Sequence, residues 1–459
     1  MSSLVIQPQK PPLKGTVRVP GDKSISHRAV MLAAIAQGTS VIRNWLPAGD
    51  TIATLEAMSA LGTPIKIERI SDQAWHLEIE GRGFHGIRKP VHALDCRNAG
   101  TCMRLLAGIL AGQRFPSVLE GSEQLRQRPM GRIVSPLRQM GADIETRDER
   151  APLHIRPAEL NGIDYVLPVA SAQVKSAILL AGLYARGETR VYQPGPARDH
   201  TERLLQAMGA IIQNEDRWII LQPPFGNGSL SDASISEKKA RPETELQPLD
   251  LTVPGDLSSA AFLLVAAAIV PHSQITIRDV GHNETRTGIL DIIAAMGGAI
   301  EVSNRHTTGG EPAVDLSTHF DELHSTTVAG DTVVRAIDEF PAWAVAATQA
   351  AGPSTLREAT ELRVKEVDRI SLLAGELRKM AVPIQEHPDG FTVSGPIRLQ
   401  GAVVDSHGDH RLGMALAVAG LVATEPTRVD NAECIADSFP GFVETMVSLG
   451  ANITWSESL

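Results

Sequence analysis

Val19-Pro20-Gly21-Asp22-Lys23-Ser24 returns 234 residues later as Val253-Pro254-Gly255-Asp256-Leu257-Ser258. Each copy runs into a stretch of small and apolar residues with helix character, Ser26 to Ala36 and Ser258 to Val270, and Ser171 to Leu183 is a third stretch of this kind. Working outward, a shorter phrase recurs six times: a helical run ending in Met or Leu, a turn residue, then an apolar strand start. The turns fall at Gly62, Gly141, Gly209, Gly297, Ala381 and Gly450, at intervals of 79, 68, 88, 84 and 69 residues. Glycine suits the left-handed residue that closes a helix, so five of the six turns have the residue that geometry favours, and Ala381 is the exception. Helix-glycine-strand joints are common in α/β proteins, but regular spacing points to repeats. The chain reads as two halves of three units, each unit about 70–90 residues of mixed strand and helix. The stretch 226–248 breaks the pattern. It is polar, rich in Gly and Ser, and is expected to be a mobile loop or insertion between the halves.

Composition bounds the reading. A length of 459 residues gives a prior of about three domains, with two large ones equally compatible. With 43% hydrophobic and 21% charged residues, the chain can bury a large core and is not mainly disordered. The longest apolar run, Ala260 to Val270, is eleven residues, too short to span a bilayer. The first residues lack the apolar core of a signal peptide. Cys96, Cys102 and Cys434 are too few and too scattered for a disulfide framework or a cysteine metal cage, so the expectation is a soluble, reduced, cytoplasmic protein. A net charge of −10 and 4% aromatics argue against nucleic-acid binding.

The cations of this acidic chain gather at helix starts. Lys23 and Ser24 stand at the head of one helix, which Ser24 or Ser26 can cap, and Arg28 lies one turn on. Backbone N–H groups, a hydroxyl and two cations then converge where an anion would sit, although solvated charges on a capped helix would give the same pattern. His27 reads as structural or solvated. Asn98 to Arg104 follows the strand-like run Val91 to Asp95 and opens a helix at Met103 to Leu110, with small residues that let a ligand approach the backbone. Arg126 and Arg128 precede Pro129 and a helix beginning near Gly131. Ser171 to Lys175 and Ala197 to Glu202 open two more helices. In the second half, Ile337-Asp338-Glu339 precedes an alanine-rich helix (Ala342 to Ala351), Leu362 to Arg369 enters the next, and Asp409-His410-Arg411 enters another (Leu412 to Leu421). His410 has no companion ligands at metal-binding spacing. Neither a Walker loop nor a dinucleotide fingerprint is present. Lys23, Arg28, Arg128, Arg198, Lys365, Arg369 and Arg411, with Asp338 and Glu366 among them, suit a multiply anionic small molecule and proton transfer beside it.

On these motifs the chain resembles the 5-enolpyruvylshikimate-3-phosphate synthase family. They run in order from PGDKSISHRA at Pro20 through NAGT, RPM, ASAQVKSA, RDHTE, IDE, LRVKE and DHR to SFP at Ser438, so that the resemblance covers about Leu13 to Ile453. It implies an α/β fold, an inside-out barrel of two domains, each of three βαβαββ units, with the active site in the interdomain cleft. The domains would be 22–250 and 1–21 plus 251–459, the chain crossing twice. The implied reaction moves the enolpyruvyl group of phosphoenolpyruvate onto the 5-hydroxyl of shikimate 3-phosphate, by addition and then elimination of phosphate, on the route to chorismate and the aromatic amino acids. No metal or organic cofactor is implied, and the expected state is a monomer without nucleic-acid or membrane partners.

By the same resemblance Lys23, Gly100, Arg128, Gln173, Arg369 and Arg411 hold phosphoenolpyruvate. Lys23, Ser24, Arg28, Ser171, Ala172, Gln173, Arg198, Asp338 and Lys365 hold shikimate 3-phosphate. Asp338 is the implied base, and Glu366 with Lys23 moves protons at the methylene carbon. Glyphosate competes with phosphoenolpyruvate in this family, and Gly100 is expected to leave room for it. Departures are Arg97 where many members have Gly, Cys102 where Thr or Ala is frequent, and Ala172 and Ala197 where some have Ser. Asp437 stands where some have Lys and is left out of the site. The alternatives are the sister enzyme that acts on UDP-N-acetylglucosamine and a non-catalytic binding protein on the same scaffold. The first carries Lys-Asn where this chain has Lys23-Ser24 and a reactive Cys in its mobile loop, whereas Glu120 to Arg128 has none. The second would be expected to lose Lys23, Asp338, Glu366 or Arg411.

Overall fold

Each repeat closes into one four-stranded sheet. Leu94–Asp95, helix Gly100–Ala111, Ser117–Glu120, helix Gly131–Gln139, Asp143–Arg147 and Arg150–Arg156 give the βαβαββ order. The first two strands pair in parallel, and the last two form a hairpin whose second strand pairs antiparallel with Ser117–Glu120. Six four-stranded sheets, five of them in this pattern, occur among the described residues of the computed structural model, which are 2–223 and 245–456. The turn residues behave as the repeat requires. Gly62, Gly141, Gly209, Gly297 and Gly450 have φ between 83° and 102°, and Ala381 adopts the same left-handed region at φ 65° despite its methyl.

The repeated Val-Pro-Gly-Asp segment marks an exchange of strands. Lys14–Arg18 precedes the first copy, yet it pairs in parallel with Gln274–Gly281, beyond the second. Asp250–Thr252 precedes the second copy and pairs in parallel with Gln37–Trp45, beyond the first. The two crossing segments meet: Asp22 N donates to Pro254 O (2.8 Å) and Asp256 N to Pro20 O (2.9 Å). Ser3–Ile6 completes the C-terminal sheet, between Thr427–Asp430 and Ile453–Ser456.

The chain divides into two units. One comprises Met1–Asp22, Pro254–Thr307 and Pro312–Leu459; the other comprises Lys23–Val253 with Thr308–Glu311. Each has its own hydrophobic core. In the first, helices Leu257–Ile269, Phe340–Gln349 and His410–Leu421 pack on one another, and every residue of the three except Gln349 is buried. A helix enclosed on every side needs no polar face, which is why these stretches lack amphipathic periodicity. In the second, Lys23–Ile35, Gly100–Ala111 and Ala172–Gly182 take the same place. A side chain at Gly108 would lie 2.3 Å from Ala177 O, so the last two helices can touch only through glycine. The sheets flank these helices, as in the expected inside-out arrangement.

Several boundaries differ from the sequence reading. The first helix starts at Lys23, so Ser24 and Ser26 lie inside it and do not cap it; buried Ser26 Oγ instead accepts from Leu46 N (3.2 Å). The strand expected over Val91 to Asp95 shrinks to Leu94–Asp95. Lys365 and Glu366 precede the helix Arg369–Lys379 in an irregular link after a 3-10 turn at Thr360–Val364. Of the loop expected at 226–248, residues 226–244 lie outside the described residues.

Candidate active site

In the unit that begins at Lys23, the anticipated residues form two groups. Lys23 Nζ pairs with Asp50 Oδ2 at 2.5 Å, both side chains largely shielded. One turn on, buried Arg28 donates from Nη1 to Ser24 O (2.9 Å), from Nε to Thr201 Oγ1 (2.7 Å) and from Nη2 to Ser176 Oγ (2.9 Å). Three helices thereby fix one guanidinium. The second group surrounds Gly100. Arg104 Nη1 donates to Gln173 Oε1 (2.5 Å), and Gln173 Nε2 to Thr101 Oγ1 (2.9 Å). A Cβ added at Gly100 would stand 3.0 Å from Arg128 Nη1 and 3.2 Å from Arg104 Nη1. Arg128 follows a short helix, Glu123–Gln127, capped by Ser122.

Ser171 caps the helix Ala172–Gly182, its Oγ accepting from Val174 N at 3.5 Å. That helix also carries Lys175, which has no solvent exposure and pairs with Glu202 Oε1 at 2.6 Å. Lys175 Nζ also donates to Ala197 O (3.2 Å), which anchors the loop bearing Arg198. His27 is buried, with Nδ1 2.6 Å from Thr54 Oγ1, a structural role.

The other unit holds a denser cluster. Asp338 Oδ1 accepts from Lys365 Nζ (3.2 Å) and Arg369 Nη1 (3.3 Å), and Arg411 Nη2 lies 3.7 Å from Oδ2. Arg369 also donates from Nη2 to Glu366 Oε2 (2.6 Å) and from Nε to Asp409 Oδ2 (2.8 Å). Burial works against its charge, but Asp409, Glu366 and Asp338 hold its pKa above the ordinary value. Asp409 in turn caps the helix His410–Leu421, accepting from Arg411 N (2.8 Å) and Leu412 N (3.2 Å). One side chain thus holds the Arg369 guanidinium and caps the helix that carries Arg411.

A family model described as EPSP synthase (3-phosphoshikimate 1-carboxyvinyltransferase) matches residues 7–446. The chain is 49% identical over 448 residues to the 3-phosphoshikimate 1-carboxyvinyltransferase of Citrifermentans bemidjiense, covering 97% of this chain and 99% of that one. The chain belongs to the EPSP synthase family. A solved EPSP synthase from Acinetobacter baumannii superposes with a TM-score of 0.86 at 40% identity, covering 100% of both chains. The enolpyruvyl transferase NikO from Streptomyces tendae, at 18% identity and a TM-score of 0.78 over the full length of both, shares the fold. Members of the EPSP synthase family are transferases, and this chain is one of them.

Asp50, Thr201, Ser176, Arg104 and Asp409 were missed as partners in the sequence reading. Arg104, Ser176, Thr201 and Asp409 lay inside motifs already singled out, but their pairings are set by long-range packing; Asp50 lay outside every motif. Among the described residues, no group of three His, Cys, Asp or Glu side chains could hold a metal ion. The Cys96 thiol pKa is pushed up by its hydrogen bond with Cys102 and by burial, and burial pushes Cys434 up to about 12, so neither is a ready thiolate.

Proposed function

We propose that this chain transfers the enolpyruvyl group of phosphoenolpyruvate to the 5-hydroxyl of shikimate 3-phosphate and releases phosphate. Membership in the family over nearly the whole chain supports the reaction. The observation that carries the chemistry is Asp338, a carboxylate within 3.7 Å of three cations and one residue removed from the head of a buried helix. In this reading Asp338 takes the proton of the 5-hydroxyl. The substrates' own anions compete for Lys365, Arg369 and Arg411, loosening their hold on Asp338 as a proton must be accepted.

Glu366 and Lys23 handle the proton that the methylene carbon gains in addition and loses in elimination. Lys23, Gly100, Arg128, Gln173, Arg369 and Arg411 receive phosphoenolpyruvate. Lys23, Ser24, Arg28, Ser171, Ala172, Gln173, Arg198, Asp338 and Lys365 receive shikimate 3-phosphate. Cations aimed at phosphate and carboxylate oxygens stabilise the charge of the tetrahedral intermediate. The two units act as the two domains of one catalyst, a cytoplasmic monomer needing no metal, organic cofactor or nucleic acid. No helix among the described residues is long and apolar enough to cross a membrane.

The test is phosphate release with both substrates. Turnover should require shikimate 3-phosphate and should not occur when UDP-N-acetylglucosamine replaces it. Release with the nucleotide sugar, or with neither acceptor, would overturn the reading.

A further inference from the structure

Outside the groups described above, the densest buried charge among the described residues surrounds Arg286. Its Nη1 donates to Asp22 Oδ2 (2.6 Å), and its Nη2 donates to Asp256 Oδ1 (3.0 Å) and Ser258 Oγ (2.6 Å). Glu339 Oε1 lies 3.9 Å from Nη2 and also accepts from Ser258 Oγ. All five side chains are buried. The three carboxylates share a position: Asp22 immediately precedes the helix Lys23–Ile35, Asp256 precedes Leu257–Ile269, and Glu339 precedes Phe340–Gln349. A helix N-terminus favours a negative charge, which offsets part of the excess of carboxylates over the single guanidinium. Two of the three are the aspartates of the repeated Val-Pro-Gly-Asp segment. Arg286 is itself held on a tight turn, its N–H donating to Asn283 O at 2.8 Å.

Burying four charges is a poor route to stability, because well-packed apolar side chains do as well or better. What such a cluster supplies is direction. Glu339 is bonded to Asp338, and Asp22 to Lys23. We propose that Arg286 is a positioning residue for the transfer reaction: by gathering the carboxylates at three helix starts it fixes the backbone on which Asp338 stands. The same fork fixes Asp22, the residue before Lys23. This inference rests on Asp338 being the base.

The experiment is a double-mutant cycle between Arg286→Lys and Asp338→Asn on the full chain, with kcat, both Michaelis constants and Tm measured. Lysine keeps the charge and loses the fork. Arg286→Lys should lower kcat by about a hundredfold, the scale of a small misplacement of a reacting group, with both Michaelis constants changing by less than about threefold. In the Asp338→Asn background the same substitution should cost less than about threefold, because the group it positions is gone. Should Arg286→Lys fold poorly, Asp256→Asn loosens the same fork from a residue not adjacent to the reacting groups, and the same non-additivity is expected. Equal factors in both backgrounds, or a lower Tm with unchanged kcat, would overturn the positioning role. Near wild-type turnover of Asp338→Asn alone would instead remove the base assignment and this inference with it.

Discussion

Arg28 and Arg369 are both buried, at 3% and 2% exposure, and each bonds through three guanidinium nitrogens, yet to opposite kinds of partner. The partners of Arg28 include three neutral acceptors, Ser24 O, Thr201 Oγ1 and Ser176 Oγ. Arg369 bonds to Asp338, Glu366 and Asp409, all carboxylates. Neutral acceptors aim a guanidinium and leave its charge in place, which suits the capture of an anion. Carboxylate acceptors cancel that charge and are themselves oriented by it, which suits groups that must exchange protons from fixed positions. The same βαβαββ repeat thus carries two kinds of arginine cluster, and in the proposed reaction the first would favour anion capture and the second the holding of proton-transfer groups.

The largest effect expected is at the second. Asp338→Asn and Glu366→Gln should lower kcat by roughly 10²–10⁴-fold while changing the Michaelis constants much less. Steady-state kinetics at saturation decides this, and near wild-type turnover in either variant removes that residue from proton transfer.

Next is a direct contrast between the arginines. Arg369→Met removes a buried cation from among three carboxylates and should cost about 3–5 kcal/mol of stability, read by denaturant unfolding. Arg28→Met removes a guanidinium bonded to three neutral acceptors and should cost less stability. It should instead raise the Michaelis constant for shikimate 3-phosphate by about ten- to a hundredfold, the loss of a charged hydrogen bond. If the two variants lose stability equally and the Michaelis constant holds, the distinction between the two clusters fails.

Much of this was legible from local pattern. The six turns, the Val-Pro-Gly-Asp repeat and the cations at helix starts each depend on residues a few positions apart, and short-range geometry fixes them. Ala381 shows the limit from one side: its methyl disfavours the left-handed turn, yet it adopts it, with Ala381 N bonded to Arg378 O and Val382 N to Leu377 O. The exchange of Lys14–Arg18 and Asp250–Thr252 between sheets was visible only as a repeat, since strand pairing across more than two hundred residues leaves no local mark. The same holds for Asp50 on Lys23, Thr201 on Arg28 and the carboxylates on Arg286. Ser24 and Ser26 misled because any hydroxyl near a helix start has the capping pattern, and only the backbone shows where the helix begins.

Gly100 offers a gentler probe of the unit that begins at Lys23. Its φ lies outside the left-handed region, so Gly100→Ala carries no backbone strain, and the added methyl meets the ends of Arg128 and Arg104 at 3.0 and 3.2 Å. Those flexible ends can yield by a few tenths of an ångström. The Michaelis constant for phosphoenolpyruvate should therefore rise by no more than a few fold, within the cost of mild overpacking. The glyphosate inhibition constant should rise further, about ten- to a hundredfold. If both rise by one factor, displacement of Arg128 rather than a contact with the inhibitor explains the change.

The smallest effect sits at the far end of Arg369's own helix, where a carboxylate rather than a cation is the hub. Glu376 accepts from Lys379 Nζ (2.7 Å) and from Asp405 N (2.9 Å), and His407 Nε2 lies 2.9 Å from its Oε1. Burial alone would raise its pKa, but the bonds from Lys379, Asp405 and His407 outweigh it and hold the carboxyl below its ordinary value. A depressed carboxyl contributes stability that is present above its unfolded pKa and lost as pH falls through the folded one. Glu376→Gln keeps the shape and removes the charge. It should lower Tm by roughly 2–4 °C at neutral pH, the effect of about 1 kcal/mol in a unit of this size. The gap to the wild type should narrow as pH falls below about 4.5 and close once the native carboxyl is protonated. Thermal melts of both proteins from pH 7 down to pH 3 measure it, and a gap that stays constant or widens toward acid would show that Glu376 acts by packing, leaving the carboxylate-held network confined to the cluster around Arg369.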